Sequence, residues 1–208
     1  AIITGAGEKF FCPGWDLKAA ADGDEVDGDY GGGGFCGLQE LRDMNKPIIA
    51  AVEGYALAGG FELAISCDLV VAANDSKFGI PEVKRGLAAA AGGLVKLPKQ
   101  IPSRIAMELA LTGDFISADR AYELGLINRV VESGSAVDGA KALADSIAAN
   151  GPLAVKASLA AVAGAQDWSP EEMFAKQMAI VGPVFTSEDA IEGATAFAEK
   201  RAPNWKGK

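Results

Sequence analysis

The chain has 208 residues, half of them hydrophobic and 23% charged, which is enough for one compact domain with a sizeable core and too apolar for a disordered polymer. Its 19 Lys and Arg against 28 Asp and Glu leave a net charge of −9, which disfavours a nucleic-acid or anionic-membrane surface. Histidine is absent, so Ser-His-Asp hydrolysis, Cys-His proteolysis and the usual zinc hydrolases are excluded, and acid–base work falls to Asp, Glu, Lys, Tyr or Cys.

In chain order, "AIIT" at 1–4 reads as a buried strand already under way at Ala1, from which we expect a further segment upstream. No signal-peptide pattern opens the chain, and no run approaches the roughly 18 apolar residues of a membrane span. The following "GAGEKF" begins like a dinucleotide fingerprint, but Phe10 stands in the third glycine position, and nothing matches a phosphate loop. In "FFCPGWDLKAA", residues 10–20, Pro13 and Gly14 force a turn that presents the Trp15 backbone. Between Ala21 and Gly37, five acids at 22–29 and four consecutive glycines give a composition expected of a mobile surface loop. Val26 falls where a calcium loop needs an oxygen ligand after Asp22 and Asp24, so metal binding there is not expected.

"PIIAAV" at 47–52 and "DLVVAA" at 68–73 are predicted strands, with a predicted helix from Gly59 to Cys67 between them, an α/β pattern. From Ser103 onward the spacing predicts helices within 103–113, 117–126, 135–152 and 169–182, each opened by Ser and closed by Gly or Pro. Ser169, Pro170 and Glu172 read as a capping box with proline at the first helical position. A last helix is predicted from Ser187 to just before Pro203. The economical organisation is a core over 1–133 and a helical region over 134–208. Cys12, Cys36 and Cys67 form no C-x-x-C pair and are expected to be free thiols acting as small core hydrophobes, in a reducing compartment such as the cytoplasm.

Two acids stand out. Gly59 and Gly60 at a helix start leave backbone N–H groups unpaired where the dipole adds positive charge, a place that can hold an oxyanion, and Glu62 stands in that first turn. Glu82 lies in "FGIPEVKRG", in a turn after the "DLVVAA" strand, with apolar Phe78 and Ile80 close by. Brought together in a water-poor pocket, two such carboxyls would titrate as a pair, one kept protonated to donate and the other charged to activate water.

The blocks "ITGAGEKFFCPGWDLK", "KPIIAAVEGYALAGGFELAISCDLVVAANDSKFGIPEVKRGL", "LTGDFISADRAYELGLINRVV" and "SEDAIEGATAFAEKRAPNWKGK" resemble, in this order, the enoyl-CoA hydratase/isomerase (crotonase) family. Within it, "EKFFCPGWDLKAAA" and "SEDAIEG" look most like the carnitinyl-CoA dehydratase branch. The resemblance implies an α/β, crotonase-like (ClpP/crotonase) spiral of ββα units with a helical C-terminal trimerisation region. It implies a lyase of fatty-acid and lipid metabolism that adds or removes water across the 2,3 double bond of an acyl-CoA thioester, as a trimer or hexamer. Coenzyme A would enter only as part of the substrate, with no metal and no redox cofactor. Backbone N–H groups of Trp15 and Gly59 would form the oxyanion hole, Glu62 and Glu82 would be the catalytic acids, and Trp15, Asp16, Leu17 and Lys18 would contact CoA. An enoyl-CoA isomerase of the same family and a non-catalytic acyl-CoA-binding protein are the alternatives.

The sequence departs from the family pattern at "GLAAAAGG", where Ala89 replaces a usual proline and Ala90 an acid found in some branches. Cations for the CoA phosphates are sought at Lys18, Lys200, Arg201, Lys206 and Lys208.

Overall fold

A computed structural model describes residues 1–7, 9–23, 28–41 and 44–208. It separates into two compact units, Ala1–Lys141 and Ala142–Lys208.

Among the described residues, the first unit is built on eight short strands in two sheets. Strands β1 (Ile2–Thr4), β3 (Ile49–Val52), β5 (Leu69–Ala73) and β8 (Arg129–Val131) form one parallel sheet in the order β1-β3-β5-β8. Strands β2 (Phe10–Cys12), β4 (Tyr55–Leu57), β6 (Lys77–Gly79) and β7 (Ile116–Ser117) form the other, parallel except for the antiparallel β6–β7 pair. The first three strand pairs thus send their first member to one sheet and their second to the other, and the last pair, β7 and β8, reverses the order. A short helix follows each of the first three: α1 (Leu17–Ala21), α2 (Gly59–Ala64) and a 3-10 turn at Pro81–Arg85.

The predicted strands at 1–4, 47–52 and 68–73 appear as β1, β3 and β5. All four residues of β3 are buried, as its continuous apolar run requires of a central parallel strand. The core closes around Phe61 and Phe78, whose rings lie 5.6 Å apart, in one cluster with Val52, Ile80 and Leu97. Helices α3 (Gly93–Gln100), α4 (Ser103–Thr112) and α5 (Ala118–Glu123) complete the unit. Ser117 caps α5 by accepting the Arg120 N–H at 3.1 Å.

The boundary falls later than the expected end of the core at residue 133. The first turns of α6 (Ala136–Ala148) belong to the first unit because Glu53 accepts the Gly134 and Ala136 N–H groups at 3.0 and 2.7 Å. Gly139 then presses on Val71 and Val131, where an added Cβ would stand 3.0 Å from either side chain. The expected mobile loop lies partly outside the described residues, which omit 24–27, Asp24 and Val26 of the rejected calcium reading among them. Among the described residues no cluster of acids or thiols is arranged to hold a metal.

The second unit contains α7 (Pro152–Ala165), α8 (Met173–Val181), a 3-10 turn at Gly182–Thr186 and α9 (Glu188–Glu199). Helix α7 is absent from the sequence expectation, and α8 begins later than its capping box implies. Ser169 Oγ reaches the Glu172 carboxylate at 3.4 Å instead of a backbone N–H, and its carbonyl accepts from Glu172 and Met173, so residues 169–172 form a turn ahead of the helix. The last helix starts as expected, with Ser187 Oγ accepting the Ala190 N–H at 3.0 Å. Asp189 in its first turn accepts the Lys206 and Gly207 N–H groups at 2.6 and 2.9 Å and ties down the C-terminal residues.

Candidate active site

A cavity of about 540 Å³ opens in the first unit. Its wall includes Trp15, Leu17, Gly59, Glu62 and Glu82, five of the expected site residues, contributed by three separate ββα turns.

The backbone side of the cavity is made by two loops in close approach. Gly14, at φ +93°, lies so near the next turn that a Cβ on it would stand 2.7 Å from the Ala58 Cβ and 3.0 Å from the Gly59 nitrogen. Only glycine permits both that dihedral and that approach. The Trp15 peptide and Gly59 are therefore neighbours. Ala58 itself holds φ 53° and ψ −130°, a conformation L-residues avoid, at a cost of about 1–3 kcal/mol. Its N–H is fixed by Gly79 O at 2.9 Å and its carbonyl accepts from Phe61 and Glu62 at 2.9 and 3.0 Å. This strained corner opens α2 at Gly59, leaving the Gly59 N–H outside the helix ladder beside the cavity.

The two carboxyls differ in surroundings. Glu62 is 2% exposed, and its Oε1 accepts the Gly93 N–H at 2.7 Å. Burial raises its pKa, opposed by the Gly93 and Ala91 N–H groups and by the Lys96 charge. Lys96 Nζ, whose own pKa burial lowers, is held by Gln39 O at 2.6 Å and Ser66 Oγ at 2.7 Å. Glu82 has a buried Oε2 with no hydrogen-bond partner. Burial, opposed by its own backbone N–H and reinforced by the Glu62 charge, pushes its pKa up to about 7. Near neutral pH Glu82 therefore stands between its protonated and ionised forms, while donors gather around Glu62.

Two expected contacts lie elsewhere. Asp16 Oδ1 accepts the Lys18 N–H at 2.9 Å and the Ala19 N–H at 3.5 Å, so its side chain starts α1, and neither Asp16 nor Lys18 is on the cavity wall. A capping acid at this position looks the same in sequence as a ligand-binding one. Arg201 is engaged by Glu192 at 2.6 and 3.0 Å and by Glu199 at 2.6 Å, which removes it as a free phosphate cation. The Lys208 Nζ lies 3.8 Å from Glu188.

Sequence reasoning missed Tyr30, Phe35 and Glu40, which line the cavity from the glycine-rich stretch, and Lys84 and Arg85, which line it just past Glu82. The "KR" pair beside the second acid was a usable signal for an anion-binding rim. The donors Ala91 and Gly93 carry no side-chain signal at all.

The sequence profile of the enoyl-CoA hydratase/isomerase family matches residues 1–208. A carnitinyl-CoA dehydratase of Proteus mirabilis (strain HI4320) is 48% identical over 212 residues, covering all of this chain and 81% of the relative. Among solved structures, an enoyl-CoA hydratase from Mycobacterium tuberculosis H37Rv superposes with a TM-score of 0.92 at 59% identity, covering all of this chain and 80% of that one. A carnitinyl-CoA hydratase from Mycobacterium avium is 45% identical with a TM-score of 0.73, at the same coverage. The chain belongs to the enoyl-CoA hydratase/isomerase family and has the crotonase-like fold.

Proposed function

We propose that this protein is an enoyl-CoA hydratase, working in reverse as a 3-hydroxyacyl-CoA dehydratase, a carbon–oxygen lyase. One observation carries the reading: Glu62 and Glu82 share a cavity with the Gly59 and Trp15 backbone. The thioester oxygen is gripped by the Gly59 and Trp15 N–H groups, which draw electrons from the double bond and leave the β-carbon electrophilic. Each such donor is worth about 3 kcal/mol in the transition state. Ionised Glu62 takes a proton from water as its oxygen bonds to the β-carbon, and protonated Glu82 delivers a proton to the α-carbon. The resulting exchange of protonation between the two acids is reset from solvent. General acid–base assistance of this kind contributes about 10²–10⁴-fold.

Water addition is redox-neutral and both proton transfers are assigned to side chains, so coenzyme A is needed only as part of the substrate. Arg85 on the cavity rim suits its phosphates, while Lys84 beside it is paired with Asp114 at 2.7 Å. Tyr30 and Phe35, packed edge to face at 5.2 Å, together with the Glu40 carboxylate, favour crotonobetainyl-CoA, whose acyl end is a quaternary ammonium, as a substrate beside neutral enoyl-CoAs. Assembly into a trimer or hexamer is supported by large apolar side chains exposed on the second unit, among them Phe174, Phe185, Ile191 and Phe197. A cytoplasmic setting suits the free thiols. The test is loss of enoyl absorbance on mixing with crotonyl-CoA and with crotonobetainyl-CoA. Turnover of either with net addition of water supports the reading. Binding without turnover, or α-proton exchange without hydration, refutes it.

A further inference from the structure

Ala58 stands where turn chemistry calls for glycine. Its φ of 53° and ψ of −130° are those of the first central residue of a type II′ turn. Among the described residues Lys200 alone shares a positive φ without being glycine, and it caps α9 in the ordinary left-handed region at φ 55° and ψ 39°. The Ala58 dihedrals instead crowd a Cβ against its own backbone.

The strained residue is held from both sides. Its N–H donates to Gly79 O at 2.9 Å, and its carbonyl accepts the Phe61 and Glu62 N–H groups at 2.9 and 3.0 Å. The end of β6 and the first turn of α2 therefore fix the peptides on either side of residue 58, and with them the Gly59 N–H. Across the seam lies Gly14, whose carbonyl-side peptide carries the Trp15 N–H. A Cβ on Gly14 would stand 2.7 Å from the Ala58 Cβ, 3.0 Å from the Gly59 nitrogen and 3.1 Å from Leu57 O, so the Ala58 methyl packs on the Gly14 α-carbon. Further along, the seam closes on bare backbone: a Cβ on Gly60 would stand 2.6 Å from the Cys12 carbonyl carbon. Gly14, Gly59 and Gly60 contribute no side chain, which leaves the Ala58 methyl between the two donor loops.

We propose that Ala58 is a positioning residue whose methyl is the spacer that sets the separation of the Trp15 and Gly59 N–H groups, and that the backbone strain at residue 58 is retained for this purpose. The Ala58 side of the seam is anchored. Removing the methyl therefore lets the Gly14–Trp15 peptide close into the space and turns the Trp15 N–H away from the point that the Gly59 N–H addresses. The proposal rests on the reading of these two groups as the grip on the thioester oxygen, and not on the reaction that follows.

The test is Ala58→Gly, with infrared difference spectra of bound butyryl-CoA to read the grip and crotonyl-CoA hydration to read the rate. Butyryl-CoA has no double bond and takes up no water, so its carbonyl stretch reports the donors without turnover. Glycine adopts the residue-58 conformation freely, so the variant keeps its fold, with a urea midpoint no lower than that of the wild type. In the wild type the stretch should lie below that of the free thioester. In Ala58→Gly it should return toward the free value, with kcat for crotonyl-CoA down about tenfold and KM little changed. Ala58→Ser keeps the Cβ and should keep the wild-type stretch. An unchanged stretch in Ala58→Gly overturns the proposal whatever the urea midpoint does, as does an equal loss in Ala58→Ser. A wild-type stretch at the free value sinks the donor pair and the proposal with it. The expected spectra without any hydration uphold the proposal and sink only the hydratase reading.

Discussion

Replacing Glu82 by Gln keeps the size of the side chain and removes its titration. In the folded chain the Glu82 carboxyl is pushed up to about 7, chiefly by burial, against 4.5 for the free group. The folded state therefore holds this proton more tightly than the unfolded state does. Below about pH 4.5 both states are protonated and the group costs nothing; as pH rises through about 7, the unfolded chain ionises more readily and stability is lost. The full difference corresponds to about 3 kcal/mol, and because the group keeps some solvent contact about 1–2 kcal/mol is the realistic effect. Glu82→Gln should thus gain about 1–2 kcal/mol over the wild type on going from about pH 5 to pH 8, while losing its chemistry. Urea unfolding at the two pH values, with unchanged m-values, measures this directly. Parallel pH dependence of the two proteins would refute the assignment of a raised Glu82 carboxyl.

The same proton sets the activity profile. Hydration needs Glu82 protonated, so kcat/KM for crotonyl-CoA should fall as pH rises through about 7, whereas the dehydration direction needs it ionised and should rise over the same range. Gly59→Ala would bring a methyl group 2.5 Å from the Phe35 ring and displace one wall of the site; a fall of about 10²–10³ in kcat is expected from steady-state kinetics. Lys96→Met removes the charged donor to Gln39 O and Ser66 Oγ and the field that favours ionised Glu62. It should cost about 2 kcal/mol in denaturant unfolding and move the acid limb of the rate profile to higher pH.

The sheet whose strands carry apolar runs was legible because β3 and β5 are buried on both faces, whereas β1, read as a buried strand, is half-buried to exposed at its place on the sheet edge. The partner strands β2, β4 and β6 are three residues each, too short for any periodicity, and they mix Lys, Tyr, Cys and Gly with apolar residues. Helix α7 escaped notice because "PLAVKASLAAVAGA" is nearly apolar throughout, without the polar stripe that marks a helical face. In the cavity, Glu62 and Glu82 were readable because a carboxyl next to glycines or an apolar turn is chemically conspicuous. The groups that tune them were not readable: two backbone N–H groups in an alanine-rich stretch, and Lys96, brought to Glu62 only by the packing of α3 on α2. Asp16 shows the opposite failure, an acid in the right place whose work is to cap a five-residue helix.

The division of labour between the two acids is tested most directly by crotonyl-CoA hydration rates of the wild type, Glu62→Gln, Glu82→Gln and the double variant. Because both groups act on one water addition, each single change should lower kcat by about 10²–10⁴, with the double variant little slower than either single one. A single variant that hydrates at the wild-type rate would contradict the account.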